Sequence, residues 1–193
     1  PMPFTIDGEE YFEDINLTQE EFYNKLTAGA NVSTSQPSIG VVMSTWDKLL
    51  ENYDEIVFIP MSSGLSQTCA SSLMASSEDD YKNKVFVVDN QRISVTQRQS
   101  VLDAIELSKK GYGGTQIKEI LEAQKMNSDI FIMVDTLKYL KKGGRITPAA
   151  AAIGTLLKIK PILLIKGEKL DKYHMLNRSI GAAKKTMLKA CKE

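Results

Sequence analysis

The segment EIVFIPMSSGLSQTCASS, residues 55–72, joins a short apolar run to a corner that is rich in serine. Its first residues, 55–59, are predicted to form a β-strand. The spacing of Leu65, Cys69 and Leu73 places three apolar side chains on one face of a helix that follows the corner. This strand, corner and helix are the first unit of the predicted fold.

Similar units recur along the chain. The apolar runs at 85–88 and 130–134 predict two further strands, because continuous apolar runs are typical of strands covered on both faces of a parallel sheet. Helical patterns cover residues 97–110 and begin again at Thr115. The alternation predicts an α/β fold with a doubly wound, mainly parallel sheet.

Polar side chains mark where the earlier helices should begin. Thr18 and Glu21 have the spacing of a capping box, and Ser38 is suited to cap the next helix. Pro37 disfavours helix at the residue before it, which leaves 31–37 as an extended loop with several hydroxyls. The apolar side chains expected to face the core from the helices around 38–53 and 97–110 are Val42, Trp46, Leu49, Tyr53, Val101, Leu102 and Ile105.

The pattern changes after Arg145. Thr147 and Pro148 form a strong start signal for a helix that we expect to run through Leu157. Residues 160–166 are then predicted to be a strand.

A final amphipathic helix is predicted at 178–191, and these last elements cannot close a core by themselves. We therefore expect an N-terminal α/β domain at 1–144 and the start of a second, incomplete α/β domain at 145–193. Residues 1–4 show no strand or cap pattern. The N-terminal domain is accordingly expected to lack its first strand.

Composition excludes several classes of protein. The 193 residues are 42% apolar, which is enough for a sizeable core. Lys and Arg number 24, as do Asp and Glu, so the broad positive surface of a nucleic-acid-binding protein is not expected. The two cysteines suit reduced thiols, and no apolar run reaches the roughly 18 residues of a membrane span. These features predict a cytoplasmic protein with no integral membrane association.

Polar groups collect at the carboxyl end of the strand at 55–59, the edge at which α/β sheets bind ligands. Ser62, Ser63 and Ser66 supply hydroxyls there. Gly64 can take a left-handed conformation, and the first amides of the following helix are expected to be free. The corner therefore predicts a site for a carboxylate or phosphate. The alternative is that Ser62 and Ser66 merely cap the helix.

The corner also approaches the G-x-S-x-G nucleophile pattern, although Thr68 replaces the last glycine. A serine hydrolase would use Ser66 as nucleophile, His174 as base and Asp135 as the orienting carboxylate. His174 lies in a charged stretch that is typical of a surface hairpin, so a solvated histidine is the alternative. The chain has no P-loop pattern, no G-x-G-x-x-G and no cluster with metal-ligand spacing.

Five segments, taken together, resemble the DegV family in their order and spacing. They are TSQPS at 34–38, SSGLSQT at 62–68, VVD at 87–89, DTLKYLKKGGRI at 135–146 and KIKPIL at 158–163. The resemblance covers essentially the whole chain. It implies a DegV-like α/β fold and a longer protein, because DegV proteins usually begin with a strand ending in Asp-Ser-Ser and continue well past Glu193.

The resemblance implies a bacterial protein that binds a long-chain fatty acid such as palmitate, stearate or oleate. It further implies that this chain is a carrier that presents the acid to a separate kinase subunit. That kinase converts the carboxylate to an acyl phosphate and supplies ATP and metal, so no cofactor or catalytic residue is expected here. The alternatives are the hydrolase described above and a DegV-like regulator that senses another lipid or a small carboxylate.

Site residues follow from the same resemblance. The acyl chain is expected between the two domains, and the residues expected at its carboxylate are Thr34, Ser35, Ser63, Gly64 and Ser66. Two arginines, Arg145 and, by a weaker match, Arg178, are expected to face the head group or the kinase. A guanidinium suits carboxylate or phosphate. Arg145 could instead pair with a protein carboxylate or bind carbonyl groups at a helix end.

Two departures from the family pattern bear on specificity. Gln67 stands where a glycine is usual, which adds bulk beside Ser66. Residues 90–97 replace a stretch that usually contains serine and glycine. Asp89, just before that stretch, is interpreted as a helix cap or a loop hydrogen-bond acceptor rather than a catalytic group.

Overall fold

The computed structural model describes residues 3–152, 159–167, 169–174 and 177–192. The strands in these ranges are β1 (Pro3–Ile6), β2 (Glu9–Phe12), β3 (Val32–Thr34), β4 (Ile56–Phe58), β5 (Val85–Val87), β6 (Ile130–Met133), β7 (Ile162–Ile165) and β8 (Leu170–His174). The helices are α1 (Gln19–Thr27), α2 (Ile39–Leu50), α3 (Thr68–Ala75), α4 (Ser94–Lys109), α5 (Gly114–Ala123), α6 (Lys138–Gly143), α7 (Pro148–Ala152) and α8 (Ile180–Ala190).

These strands pair into three sheets. β1 lies antiparallel between β2 and β3, and β4 and β5 form a parallel pair. β7 lies antiparallel between β6 and β8. The parallel pair, connected through α3, and the alternation of strands with helices confirm the α/β class.

We had expected the strand at 130–134 to join the parallel sheet, but it does not. β6 instead pairs antiparallel with β7, so that Ile130 lies opposite Ile165 and Met133 opposite Ile162. An apolar run predicts burial but does not specify its partner, because the same side chains can be covered in either pairing. The sheet therefore contains strands from both sides of the domain division expected at residue 144, and that division stays a prediction.

The N-terminal segment forms a hairpin that the sequence analysis missed. β1 and β2 are joined by a two-residue turn at Asp7 and Gly8, whose φ angles are 52° and 93°. Left-handed backbone at both positions is the geometry that favours Asp-Gly in tight hairpins. The expectation of no strand within residues 1–4 was wrong for Pro3 and Phe4, and the Asp-Gly pair is the signal that identifies the hairpin.

An aromatic cluster fills the space between α2 and the parallel pair. Trp46 is 1% exposed and meets Phe58 and Tyr81 edge to face, with ring centroids 5.5 and 5.3 Å away. Such pairs contribute about 0.5–1.5 kcal/mol beyond the area they bury. Val42 is buried on the same face of α2, as its helical spacing predicts.

Several other side chains that we expected to be buried are exposed, namely Leu49, Tyr53, Val101, Leu102 and Ile105. Tyr53 lies beyond the last residue of α2, so the helical spacing does not extend to it. Val101 and Ile105 line an open groove beside β4 instead of a closed core. Helical spacing thus identified the apolar faces but not how completely each one is covered.

A second apolar cluster joins the serine-rich corner to the last sheet. Leu65 from the corner packs with Leu163 of β7 and Leu170 of β8, and Leu137 and Ile146 on either side of α6 belong to the same cluster. Burying a side chain of this size contributes about 1.5–3 kcal/mol. The cluster therefore fixes the corner against β7 and β8.

The predicted helix starts are confirmed at α1 and α2. The Thr18 hydroxyl accepts a hydrogen bond from the Glu21 amide, and the Glu21 carboxylate accepts one from the Thr18 amide at 2.9 Å. The Ser38 hydroxyl accepts a hydrogen bond from the Val41 amide. These local signals succeed because each involves groups only three residues apart.

The later elements are described only in part. α7 begins at Pro148 as predicted, and the Thr147 hydroxyl accepts a hydrogen bond from the Ala150 amide. The predicted continuation of this helix at 153–157 lies outside the described residues. Among the helices that the structure describes, none has the length and apolar character needed to cross a bilayer.

Candidate functional site

The corner after β4 is a closed turn built around Ser62, which is fully buried. The Ser62 amide donates to the Arg92 carbonyl at 2.9 Å. Its own carbonyl accepts from the amides of Leu65 and Ser66 at 2.9 and 3.2 Å, and its hydroxyl accepts from the Gly64 amide at 3.3 Å. The backbone of the corner is therefore fixed by its own hydrogen bonds.

The amides of residues 64–66 precede the helix and are not the free helical amides that we expected. α3 begins only at Thr68, and the amides of Gly64, Leu65 and Ser66 already donate within the turn. The Ser63 amide donates to the Asp89 carboxylate at 3.4 Å, which agrees with the reading of Asp89 as a loop hydrogen-bond acceptor. Among residues 63–66, the groups left for a ligand are therefore the side-chain hydroxyls of Ser63 and Ser66.

Ser66 has a local role and still keeps a proton to donate. Its hydroxyl accepts from the Thr68 amide at 3.2 Å and shares a hydrogen bond with the Thr68 hydroxyl at 2.8 Å. When Thr68 is the donor of the shared bond, the Ser66 proton is available to a ligand oxygen. The capping role and a ligand-binding role are thus compatible.

A polar cavity of about 490 Å³ opens at this corner. Its lining includes Thr34 at the end of β3, Ser63 and Ser66 in the corner, Arg145 after α6 and Lys169 before β8. Gly64 lines it as well and does not use the left-handed conformation that glycine permits. Hydroxyls and two cationic side chains therefore face one space, which suits an anion.

Two glycines direct Arg145 into this cavity. Gly144 ends α6 in the left-handed conformation, with φ of 67°, which a glycine adopts without strain. A Cβ on Gly143 would lie 2.7 Å from Nη1 of Arg145, so the absent side chain leaves room for the guanidinium. Nε of Arg145 donates to the Leu65 carbonyl at 3.3 Å. This bond ties the arginine to the corner instead of to the end of its own helix.

An apolar cavity of about 520 Å³ adjoins the polar one. Both are lined by Thr34, Leu65, Ser66 and Arg145. The apolar side chains that line it come from the corner, from the start of α4, from β6 to β8 and from α6, and they are Met61, Leu65, Ile93, Ile130, Ile132, Leu140, Ile165 and Leu170. The two cavities together fit a molecule with an anionic head and an apolar body.

Comparison with known proteins identifies the family. The family model described as "Uncharacterised protein, DegV family" matches residues 1–193. The chain belongs to the DegV family. A DegV domain-containing protein of Staphylococcus aureus, SA1258, is 35% identical over 90% of this chain, and a second one, SA0704, is 34% identical over the whole chain. This DegV chain spans 62% and 69% of the lengths of those two relatives.

Solved structures of DegV proteins share the fold. A fatty-acid-binding DegV protein from Thermus thermophilus matches with a TM-score of 0.87 and 30% identity over 100% of this chain and 68% of its own. The fatty-acid-binding DegV protein SAG1342 from Streptococcus agalactiae matches with a TM-score of 0.86 and 30% identity over 99% of this chain and 68% of its own. The likeness confirms the DegV-like fold expected from the five segments.

In the structure of this DegV chain, the expected site residues do not all line the same cavity. Thr34, Ser63, Gly64, Ser66 and Arg145 meet at the polar cavity, and Ser35 lines the apolar one. The Ser35 hydroxyl donates to the Pro3 carbonyl at 3.3 Å. Arg178 is exposed and lines neither cavity.

Lys169 was missed by the sequence analysis of the DegV chain. It lies just before β8, is exposed, and lines the polar cavity. No local pattern marks it, because a lysine in a turn is usually a solvated surface residue. Only the packing of β7 and β8 against the corner brings it to the site.

The buried thiol of the DegV chain is shielded and not reactive. Cys69 on α3 is fully buried, and burial together with the charges of Asp89 and Glu122 raises its thiol pKa to about 12. A thiol of this kind stays protonated at neutral pH and is a poor nucleophile. Cys69 therefore belongs to the core beneath the site.

The hydrolase triad is not assembled in the described part of the DegV chain. Ser66 bonds to Thr68, and Asp135 forms an ion pair with Lys160. His174 ends the exposed strand β8, and its side chain makes no hydrogen bond or ion pair with any residue that the structure describes. The surface position agrees with the interpretation of His174 as a solvated residue.

Proposed function

We propose that this DegV chain binds a long-chain fatty acid such as palmitate, stearate or oleate. The observation that carries the proposal is the pair of adjoining cavities that share Thr34, Ser66 and Arg145, one polar and one apolar. The carboxylate lies among the hydroxyls and cations, and the acyl chain extends toward β6 and β7. The fatty-acid-binding relatives with solved structures support this assignment.

The two cavities divide the binding free energy unequally. Each buried methylene contributes about 0.8 kcal/mol, so ten of them contribute about 8 kcal/mol. Each hydrogen bond from a hydroxyl to the carboxylate contributes about 1.5–3 kcal/mol. The acyl chain therefore supplies most of the affinity, and the polar cavity selects an acid and sets its direction.

We further propose that the bound acid is presented to a separate kinase subunit in the cytoplasm. The sequence contains no P-loop pattern, and the carboxylate position lies in an open cavity that a partner can reach. An acyl phosphate carries more negative charge than a carboxylate, and Arg145 and Lys169 are placed to balance it. Arg178, which is exposed, would face the kinase.

Lipid content tests the binding proposal directly. The full-length protein, purified from bacteria under native conditions, is weighed by native mass spectrometry and then extracted for lipid. We expect one long-chain fatty acid per chain. A non-acyl ligand would favour a regulator of another kind and contradict the proposal. Turnover of an acyl ester that is lost in both Ser66→Ala and His174→Ala would establish a hydrolase instead.

A substitution of Arg145 tests whether fatty-acid binding and presentation to the kinase are distinct roles. We expect Arg145→Ala to reduce acyl phosphate formation by a bacterial fatty acid kinase subunit more than it reduces fatty-acid affinity, because the methylenes dominate affinity. Lys172→Ala, on the exposed strand β8 and outside both cavities, is the control. Equal losses in the two assays would contradict the division of roles.

A further inference from the structure

A buried polar loop supports the corner from behind. Residues 90–93 form the last part of the connection from β5 to α4, and Asn90 and Arg92 are both buried, with Arg92 only 6% exposed. Gln91 and Ser94 have φ of 56°, a left-handed conformation that is unfavourable for residues other than glycine. Such a conformation persists only where surrounding contacts hold it.

The Arg92 side chain supplies those contacts. Nη1 donates to the Ser100 hydroxyl at 3.2 Å on α4, and Nη2 donates to the Gln124 carbonyl at 2.8 Å just after α5. The side-chain Nδ2 of Asn90 donates to the same Ser100 hydroxyl at 2.7 Å. Arg92 forms no ion pair with a described carboxylate, and its Nε has no partner among the described residues. The guanidinium thus clamps the loop between two helices.

This loop in turn holds the corner. The Arg92 carbonyl accepts from the Ser62 amide at 2.9 Å, and Ser62 organises the amides of Leu65 and Ser66. A second bond runs from the Gln97 side chain to the Ile59 carbonyl at 2.9 Å. Displacing the Arg92 backbone would therefore release the segment that carries the Ser63 and Ser66 hydroxyls.

We propose that Arg92 is a positioning residue for the anionic head of the ligand. Its side chain fixes the backbone of residues 90–93, and through Ser62 this backbone fixes the hydroxyls of Ser63 and Ser66 at the polar cavity. Arg92 lines neither cavity, so it acts without touching the ligand. The inference rests on the proposed fatty-acid binding and adds a specificity-determining residue to it.

The experiment compares two ligands of equal chain length, palmitic acid and hexadecan-1-ol, which differ in the carboxylate. We expect Arg92→Met in the full-length protein to weaken binding of the acid about tenfold and that of the alcohol less than about twofold. Arg98→Met, the same change at an exposed position on α4, should alter neither. The proposal would be overturned if Arg92→Met weakened the binding of both ligands equally, or if it left both affinities unchanged.

Two further measurements keep the test decisive if Arg92→Met folds poorly. Arg92→Lys keeps the charge but lacks the two separate nitrogens that donate to Ser100 and Gln124. Ser100→Ala removes one partner, so both variants should lower the acid-to-alcohol affinity ratio. Hydrogen exchange of the peptide containing Ser62 should quicken in both, with exchange in α2 unchanged. An unchanged ratio and unchanged exchange would refute the positioning role. Failure of the wild-type protein to bind palmitic acid would instead refute the proposed function itself.

Discussion

At the scale of single residues, side-chain hydroxyls determine which ligand group the polar cavity can bind. Ser66 lies beside the start of α3 and Thr34 at the end of β3, yet both line the polar and the apolar cavities. The Ser63 and Thr34 hydroxyls make no hydrogen bond within the described part of the chain. They are therefore free to donate to a carboxylate, which is a stronger interaction than a bond between neutral groups.

Removing the hydroxyls of Ser66 and Thr34 should weaken acid binding. We expect Ser66→Ala and Thr34→Ala each to cost about 1–2 kcal/mol of binding free energy for palmitic acid, measured by calorimetry. Ser33→Ala is the matched control. Ser33 immediately precedes Thr34 on β3, its hydroxyl is hydrogen-bonded to that of Thr5, and it lines neither cavity. Unchanged affinity in the double variant of Ser66 and Thr34 would contradict the assignment.

The two cysteines should differ in reactivity. Burial raises the Cys69 thiol pKa to about 12, so at pH 8 the native protein holds it protonated, whereas Cys191 is exposed. We expect iodoacetamide to modify Cys191 alone in the native protein and both residues after unfolding, as read by mass spectrometry of the two peptides. Modification of native Cys69 at a rate similar to that of Cys191 would show that the core beneath the corner opens.

At the scale of elements, the end of α6 sets the direction of Arg145. Gly144 reverses the chain in a left-handed conformation, and Gly143 leaves the volume that the Arg145 side chain occupies. The helix thus ends where the guanidinium can reach the Leu65 carbonyl. A pair of glycines that looks like a simple helix stop is also a geometric requirement of the site.

Gly143→Ala should therefore lower ligand affinity without lowering the stability of the fold. The new Cβ would displace the flexible guanidinium and lower the affinity for palmitic acid, while thermal stability stays the same or rises, since alanine favours helix by up to about 1 kcal/mol. Gly40→Ala on α2 is the control, because the added carbon has no atom within 4 Å apart from its chain neighbours and the backbone of its own helix. A Gly143→Ala protein with full affinity would show that the direction of Arg145 is unimportant.

For the whole molecule, the site depends on surfaces that come from all three sheets. β3 brings Thr34, the turn after β4 brings the corner, and β6 to β8 bring half of the apolar side chains that line the apolar cavity. A ligand that contacts all of them stabilises their arrangement against unfolding. Binding should consequently be visible in global stability.

Palmitic acid should raise the midpoint of thermal unfolding. At one hundred times the dissociation constant, binding stabilises the native state by about 2.7 kcal/mol, or roughly 5–11 °C for a chain of this size. Octanoic acid at the same concentration should give little shift, because about eight methylenes are lost from the apolar cavity. Equal shifts by the two acids in differential scanning calorimetry would show that the apolar cavity does not hold the chain.

Local features of this protein were determined by its sequence. The capping box at Thr18, the cap at Ser38 and the helix start at Pro148 were all predictable, because each depends on groups within a few residues of one another. The hydroxyl-rich corner and the five family segments also pointed to an anion site and to the DegV family.

Tertiary structure alone decided how those pieces meet. The antiparallel pairing of β6 with β7, the approach of Lys169 to the corner and the clamp of Arg92 behind it all join residues far apart in the chain. Apolar runs and isolated cations carry no information about their distant partners, since either sheet pairing buries the same side chains. The site exists because packing, and not any local pattern, brings hydroxyls, cations and an apolar wall to one place.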